Sequence, residues 1–264
     1  MLSRPKKITY SFLNLIGFLA VVIVNALAVT LPINNRTTQE LSDKYPNLFV
    51  PAGITFSIWG VIYMLLLLFI IYQFIIAFRK SADGRGIFEK IGILFFISCV
   101  FNIAWIITWH YEIVWLSLII MVLLLLSLIS IYIRLGTGRQ AGRNSEKILA
   151  NIPFSVYLGW ITIATIANTT ALFVKINWNK FGLSEQVWAV LVIAVGIIIT
   201  LSILFSRNDI FYCLVVNWAF AGILLKRLAD SSMPDQLVII TSIAGITIIG
   251  LGIIVQLIRK KKIY

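Results

Sequence analysis

The chain has 264 residues, 60% of them hydrophobic and only 12% charged, with a formal net charge of +12 and a mean hydropathy of +0.99. Several segments are too apolar to share one water-soluble core, and no soluble basic stretch exists to present the positive charge to a nucleic acid. The composition reads as a multi-pass membrane protein.

A hydrocarbon core of ~30 Å takes ~20 apolar residues per helix. Eight runs meet that need, at roughly 9 to 31, 52 to 78, 91 to 109, 113 to 133, 152 to 174, 187 to 205, 210 to 225 and 237 to 258, the seventh being short. The first run resembles a secretory leader, with a basic start and Ala26-Leu27-Ala28 as a cleavage-like site. It is longer than the usual ~7–15-residue apolar region of such leaders, so it is read as a retained span. Pro32 and Pro51 flank the first long connection, Pro234 precedes the last span, and Pro153 falls in the first turn of the fifth, all places where a missing backbone donor does little harm.

Basic residues collect on the cytoplasmic side of short loops. With the N-terminus inside, sixteen of the 22 Lys and Arg fall in inner segments, including Arg79, Lys80, Arg85, Arg139, Arg143 and the Arg259 to Lys262 tail. Six fall outside: Arg36, Lys44, Lys175, Lys180, Lys226 and Arg227. Eight spans with both termini cytoplasmic is the self-consistent count, and the basic tail suits anionic lipid headgroups. The Ile-, Lys- and Asn-leaning composition points to a bacterial plasma membrane.

All ten acidic residues, among them Asp43, Asp83, Glu112, Asp209 and Asp230, lie in loops or at span ends, and no Lys or Arg lies mid-span. Ion-coupled carriers hold their coupling ion with ionisable groups inside the bilayer, which this chain does not offer. Phosphate-loop, HExxH and GxSxG motifs are missing, so the chain is not expected to be an enzyme. The single histidine, His110, reads as an interfacial residue beside Glu112. Cys99 and Cys213 read as buried small hydrophobes, and no metal site is expected.

Aromatic and amide residues remain, and helical geometry gathers them into stripes. Trp160, Ala164 and Asn168 are spaced i, i+4, i+8, each step turning about 40° at 3.6 residues per turn, with Tyr157 three before Trp160. Asn102, Trp105 and Trp109 form a second stripe, and Phe56, Trp59 and Tyr63 a third. Plain readings stand beside these. Trp115, Trp178 and Trp188 fit an interfacial belt, Asn102 with Asn168 could be a packing pair, and Ala164 could simply allow close helix approach.

The three stripes also carry a family resemblance. PAGITFSIWGVIYMLL, FNIAWIITW and VYLGWITIATIAN, in that order, resemble the second-, third- and fifth-span elements of the TspO/MBR family, the tryptophan-rich sensory proteins that include the mitochondrial translocator protein. The resemblance covers about residues 9–178. Departures are that Asp43, Lys44, Tyr45, Pro46 and Asn47 replace the family's WY and KP pair, that Phe56 and Trp59 are one residue closer than usual, and that Val156 replaces Pro.

The resemblance implies an all-α polytopic bundle with a five-helix TspO-like part at residues 1–180 and a three-helix extension at 181–264. It implies a pocket for porphyrins, sterol-like lipids or apolar drugs, under a lid made by the first connection. Trp59, Asn102, Trp105, Tyr157, Trp160, Ala164 and Asn168 are assigned to that pocket or its wall, with Phe56, Tyr63 and Trp109 completing the stripes. The expected function is binding or sensing of a flat hydrophobic molecule, a tetrapyrrole first. Facilitated transport and light-dependent porphyrin breakdown are the alternatives. No cofactor is required, porphyrin or haem being the candidate bound ligand; the partners are the bilayer, that ligand and a second copy of the chain. Asn217 and Trp218 could extend the pocket or meet a partner, packing being the first reading.

Overall fold

The computed structural model describes residues 3–31, 33–79, 86–138, 144–229 and 235–261, with side chains to Arg259. Pro32, Lys80, Asp83, Arg85, Arg139, Arg143, Asp230, Pro234 and Lys262, used in reading the loops and charges, lie outside these residues, as do the side chains of Lys260 and Lys261.

Eight long helices carry the fold: α1 Arg4–Thr30, α2 Ile58–Phe78, α3 Leu94–His110, α4 Val114–Leu135, α5 Ile152–Lys175, α6 Glu185–Arg207, α7 Ile210–Ala229 and α8 Gln236–Lys261. No strand occurs among the described residues. Seven of the helices, α2 and α5 each being counted with the helical turns before it, are long and apolar enough to cross a membrane, and α3 is apolar but only 17 residues long. Large aliphatic residues such as Leu19, Val61, Ile198 and Leu251 face outward, as they must where the solvent is acyl chain.

The helix bounds differ from the hydropathy windows where local chemistry intervenes. The third span was expected from residue 91, but Gly92, at φ +51, ends the short helix Gly86–Ile91 and α3 starts afterwards. The fifth was expected from 152, yet the chain is already helical at Asn144 and passes through the wide turn Lys147–Asn151 into α5. The seventh, expected to stop near 225, runs to Ala229 and takes Lys226 and Arg227 into its last turn.

Buried amides pin the helices together. The Asn14 amide donates to the Gln73 side-chain oxygen at 3.1 Å, joining α1 to α2. At one end of the bundle Asn34 donates to the His110 carbonyl and Lys175 to the Glu112 carbonyl, so the ends of α1, α3 and α5 meet there. At the other end Asp209 caps α7, accepting from the Tyr212 backbone N–H, and also receives the Tyr132 and Ser155 hydroxyls from α4 and α5.

The last three helices are packed into the bundle. α7 lies against α5, α6 and α8, and Gly159 of α5 lets it approach: a Cβ there would sit 3.2 Å from the Tyr212 carbonyl oxygen and the Val215 Cβ. Small residues at such crossings are the usual means of close helix contact in membranes. α7 is also tied to the segment before α2, since Ala52 donates its N–H to the Gly222 carbonyl and the Trp218 indole donates to the Thr55 carbonyl at 2.9 Å. Asn217 donates to the Ile246 carbonyl at 3.4 Å. Each member of the Asn217–Trp218 pair thus makes a hydrogen bond to a backbone carbonyl of another element.

Candidate functional site

Trp59 of α2 stands at the centre of the aromatic cluster. Its ring lies near-parallel to Tyr63 and to Trp105, at 5.5 and 6.5 Å between centroids, and meets Tyr157 and Trp160 edge-on at 6.1 and 6.2 Å. Trp109 continues the stack beyond Trp105 at 6.4 Å, and Phe56, in the tight turn Gly53–Ser57, meets Trp160 edge-on at 6.0 Å. Offset and edge-to-face rings of this kind add ~0.5–1.5 kcal/mol per pair beyond the area that they bury.

Amides fix the rings from behind. Asn102 donates to the Tyr157 hydroxyl at 3.0 Å and accepts from Asn25 at 2.8 Å. Asn168 accepts the Trp105 indole N–H at 3.0 Å and exchanges hydrogen bonds with Ser117. Asn102 and Asn168 are therefore not a pair: each anchors a different aromatic ring. Spacing along one helix carried no sign of Asn25 or Ser117, whose roles come from α1 and α4.

The rings surround a cavity of about 60 Å³. Phe56, Trp59, Trp105, Trp109, Trp160, Ala164 and Asn168 line it, whereas Tyr63, Asn102 and Tyr157 support the lining residues from outside the wall. Among the described residues, the buried indole N–H groups of Trp160 and Trp109 have no hydrogen-bond partner. Lining residues that the aromatic pattern did not reveal are Thr38, Ser42, Phe49 and Pro51 from the first connection, and Ala219 and Ile223 from α7. Residues scattered over two distant segments in this way leave no motif. Their place comes only from the chain's path across the mouth.

That path is a lid. Between α1 and α2 the chain forms the short helix Thr38–Lys44, started by a capping box in which Thr37 and Glu40 satisfy each other's backbone N–H groups. The Thr37 backbone and hydroxyl hold the Glu40 carboxyl below the ordinary carboxylate range. Glu112, at φ +58 in the α3–α4 turn, collects the lid's polar groups: Lys44 at 2.5 Å, the Tyr45 hydroxyl at 3.0 Å and Arg36 at 3.7 Å. The Lys44 hydrogen bond, ahead of Tyr45 and the nearby positive charges, holds the Glu112 carboxyl below its usual range. Burial, then the Glu112 contact, pushes the Tyr45 phenol up to about 12. The Tyr45 ring also lies 5.9 Å from Trp109, and Lys226 of α7 pairs with Asp43. His110, the last residue of α3 and two before Glu112, is fully buried, and its backbone carbonyl accepts from Asn34.

A family model described as TSPO-like protein matches residues 11–255. The chain belongs to the TSPO-like protein family. The match takes in α6, α7 and α8 as well as the three tryptophan elements, in keeping with the seat of α7 against the TSPO-like aromatic cluster. No curated protein and no solved structure matches the chain. Family membership and the apolar helices make it a multi-pass membrane protein of TSPO-like type.

Cys99 and Cys213 are buried and unpaired. Among the described residues no three His, Cys, Asp or Glu side chains converge on a metal-sized space. Trp115 is exposed, as an interfacial residue would be, but Trp178 and Trp188 lie against each other at 4.8 Å and line a second, larger crevice.

Proposed function

We propose that this TSPO-like protein binds a flat, largely apolar ligand at the Trp59–Trp105–Trp160 cluster, with a tetrapyrrole the favoured class. The observation that carries the reading is that the buried indole N–H groups of Trp160 and Trp109 have no hydrogen-bond partner among the described residues, on the wall of a largely apolar, aromatic cavity. A buried donor without an acceptor costs ~1–3 kcal/mol. A ligand with a polar edge supplies the acceptor while its face stacks on the rings.

A cavity of about 60 Å³ is far below the ~300–1,000 Å³ of drug-sized sites. The closed form therefore holds no tetrapyrrole, and binding requires the lid and Trp59 to move. The lid's attachments support such movement, being ion pairs at the bundle end and not buried apolar contacts alone. The loop charges favour both termini on the cytoplasmic side, and the Ile-, Lys- and Asn-leaning composition favours a bacterial plasma membrane.

Titrating the purified full chain with haem, protoporphyrin IX and a sterol, followed by tryptophan quenching, tests this reading. Saturable quenching by a tetrapyrrole, weakened at least tenfold in both Trp105→Ala and Trp160→Ala, is the expected result. Equal affinity in both variants removes the assignment.

A further inference from the structure

A crevice of about 540 Å³ opens between α5 and α6 at the lid end of the bundle. α7 packs on both of those helices. The crevice mouth carries Phe173, Trp178, Trp188 and the Lys180–Glu185 ion pair, and its depth is lined by Ile166, Thr169 and Val192. Nothing in the tryptophan stripes pointed to it, since Trp178 and Trp188 fall at span ends where a belt is the ordinary reading.

Two relationships join this crevice to the aromatic cavity. α5 serves both, with Ile166 and Thr169 on the crevice side and Ala164, Ala167 and Asn168 on the cavity side. Phe49 of the lid lines both spaces and is itself only 2% exposed. A single phenyl ring thus lies on the boundary between a large space and a small one. Its backbone is held by a local turn, in which the Asn47 side chain accepts from the Phe49 N–H and donates to the Tyr45 carbonyl. The ring can leave its seat with the lid segment without unravelling a membrane helix.

We infer that the α5–α6 crevice is the entry vestibule through which the apolar ligand reaches the aromatic cavity, with the Phe49 ring as the partition between them. The inference rests on the binding reading above. The occupant is the same ligand class: the crevice falls in the ~300–1,000 Å³ range of small-molecule sites, its mouth is aromatic, and its walls are continuous with the cavity's own. α6 supplies one wall, so the vestibule exists only because the chain continues past α5.

Stopped-flow quenching of the full chain in lipid nanodiscs by protoporphyrin IX tests the assignment. Thr169→Phe and Val192→Phe fill the crevice from opposite walls without adding a tryptophan, so that a folding defect in one leaves the other to report. Each is expected to slow association and dissociation together by at least tenfold, with Kd changed less than threefold. Phe49→Ala is expected to speed both. If the unmodified protein binds and Trp160→Ala weakens binding, while both filled variants keep wild-type rates, the ligand enters elsewhere and the vestibule is overturned although the binding reading stands. If the filled variants raise Kd tenfold with unchanged association, the crevice is itself the seat and not the passage. No saturable quenching by the unmodified protein overturns the binding reading and the vestibule with it.

Discussion

The Trp105 indole N–H donates to the Asn168 side-chain oxygen at 3.0 Å, joining α3 to α5 between two side chains that are almost wholly buried. That bond sets the face that Trp105 turns to Trp59, and Ser117 on α4 completes the amide's partners.

Asn168→Ala removes the acceptor and leaves the Trp105 N–H buried alone. Interhelical hydrogen bonds in membranes average ~0.6 kcal/mol and reach ~1.7, and the orphaned donor puts this one at the upper end. A lower Tm in detergent and a changed tryptophan emission are expected, while Asn168→Gln or an unchanged emission maximum in Asn168→Ala separates side-chain length from the bond itself.

The lid latch is acid-labile only at low pH. The Glu112 carboxyl is held below its model-peptide value of 4.5, so the latch is fully present above that value and is lost as pH falls through the lower one in the folded protein. Trp109 fluorescence, reported through Tyr45, is therefore expected to stay constant from pH 8 to 5 and to change below about pH 4.5. The partners are partly exposed, so Glu112→Gln costs ~0.2–1 kcal/mol of lid closure and high salt reproduces much of its effect. Limited proteolysis of the connection around Thr38–Lys44 measures both.

Gly222→Ala tests whether α7 is structural to the site. A Cβ at Gly222 would lie 1.9 Å from the Thr55 Oγ and within 2.9 Å of two of its carbons, so the turn before α2 must shift. Overpacking of this kind costs ~1–3 kcal/mol, read as a fall in Tm together with loss of the Trp218–Thr55 contact.

A chain ending near residue 180 loses Ala219 and Ile223 from the cavity wall and exposes the α5 face around Gly159. It is expected to aggregate or to bind protoporphyrin IX at least tenfold more weakly than the full chain. Wild-type affinity and a monodisperse profile would show the first five helices to be self-sufficient.

Trp160→Phe isolates the polar part of the proposed contact. The ring packing is largely kept and a buried unpartnered donor is removed, so Tm is expected to hold or rise while affinity for a ligand with a polar edge falls severalfold. A purely apolar ligand should bind both proteins alike.

Hydropathy and spacing by themselves determined the solvent of this protein, the eight helical runs and the faces that carry Trp59, Trp105 and Trp160, because those properties are local and repeat with the helix. The misplaced starts of α3 and α5 show the limit of that reading: Gly92 and the wide turn Lys147–Asn151 act through backbone conformation, which average hydropathy does not register. The tertiary structure alone decided that Asn102 and Asn168 serve different rings, that α7 contributes to the cavity wall, and that Phe49 lines both the small space and the large one. Each of those depends on the distance between helices far apart in sequence. Such distances are set by how small residues such as Gly159 and Gly222 let the helices approach, and no single helix encodes them.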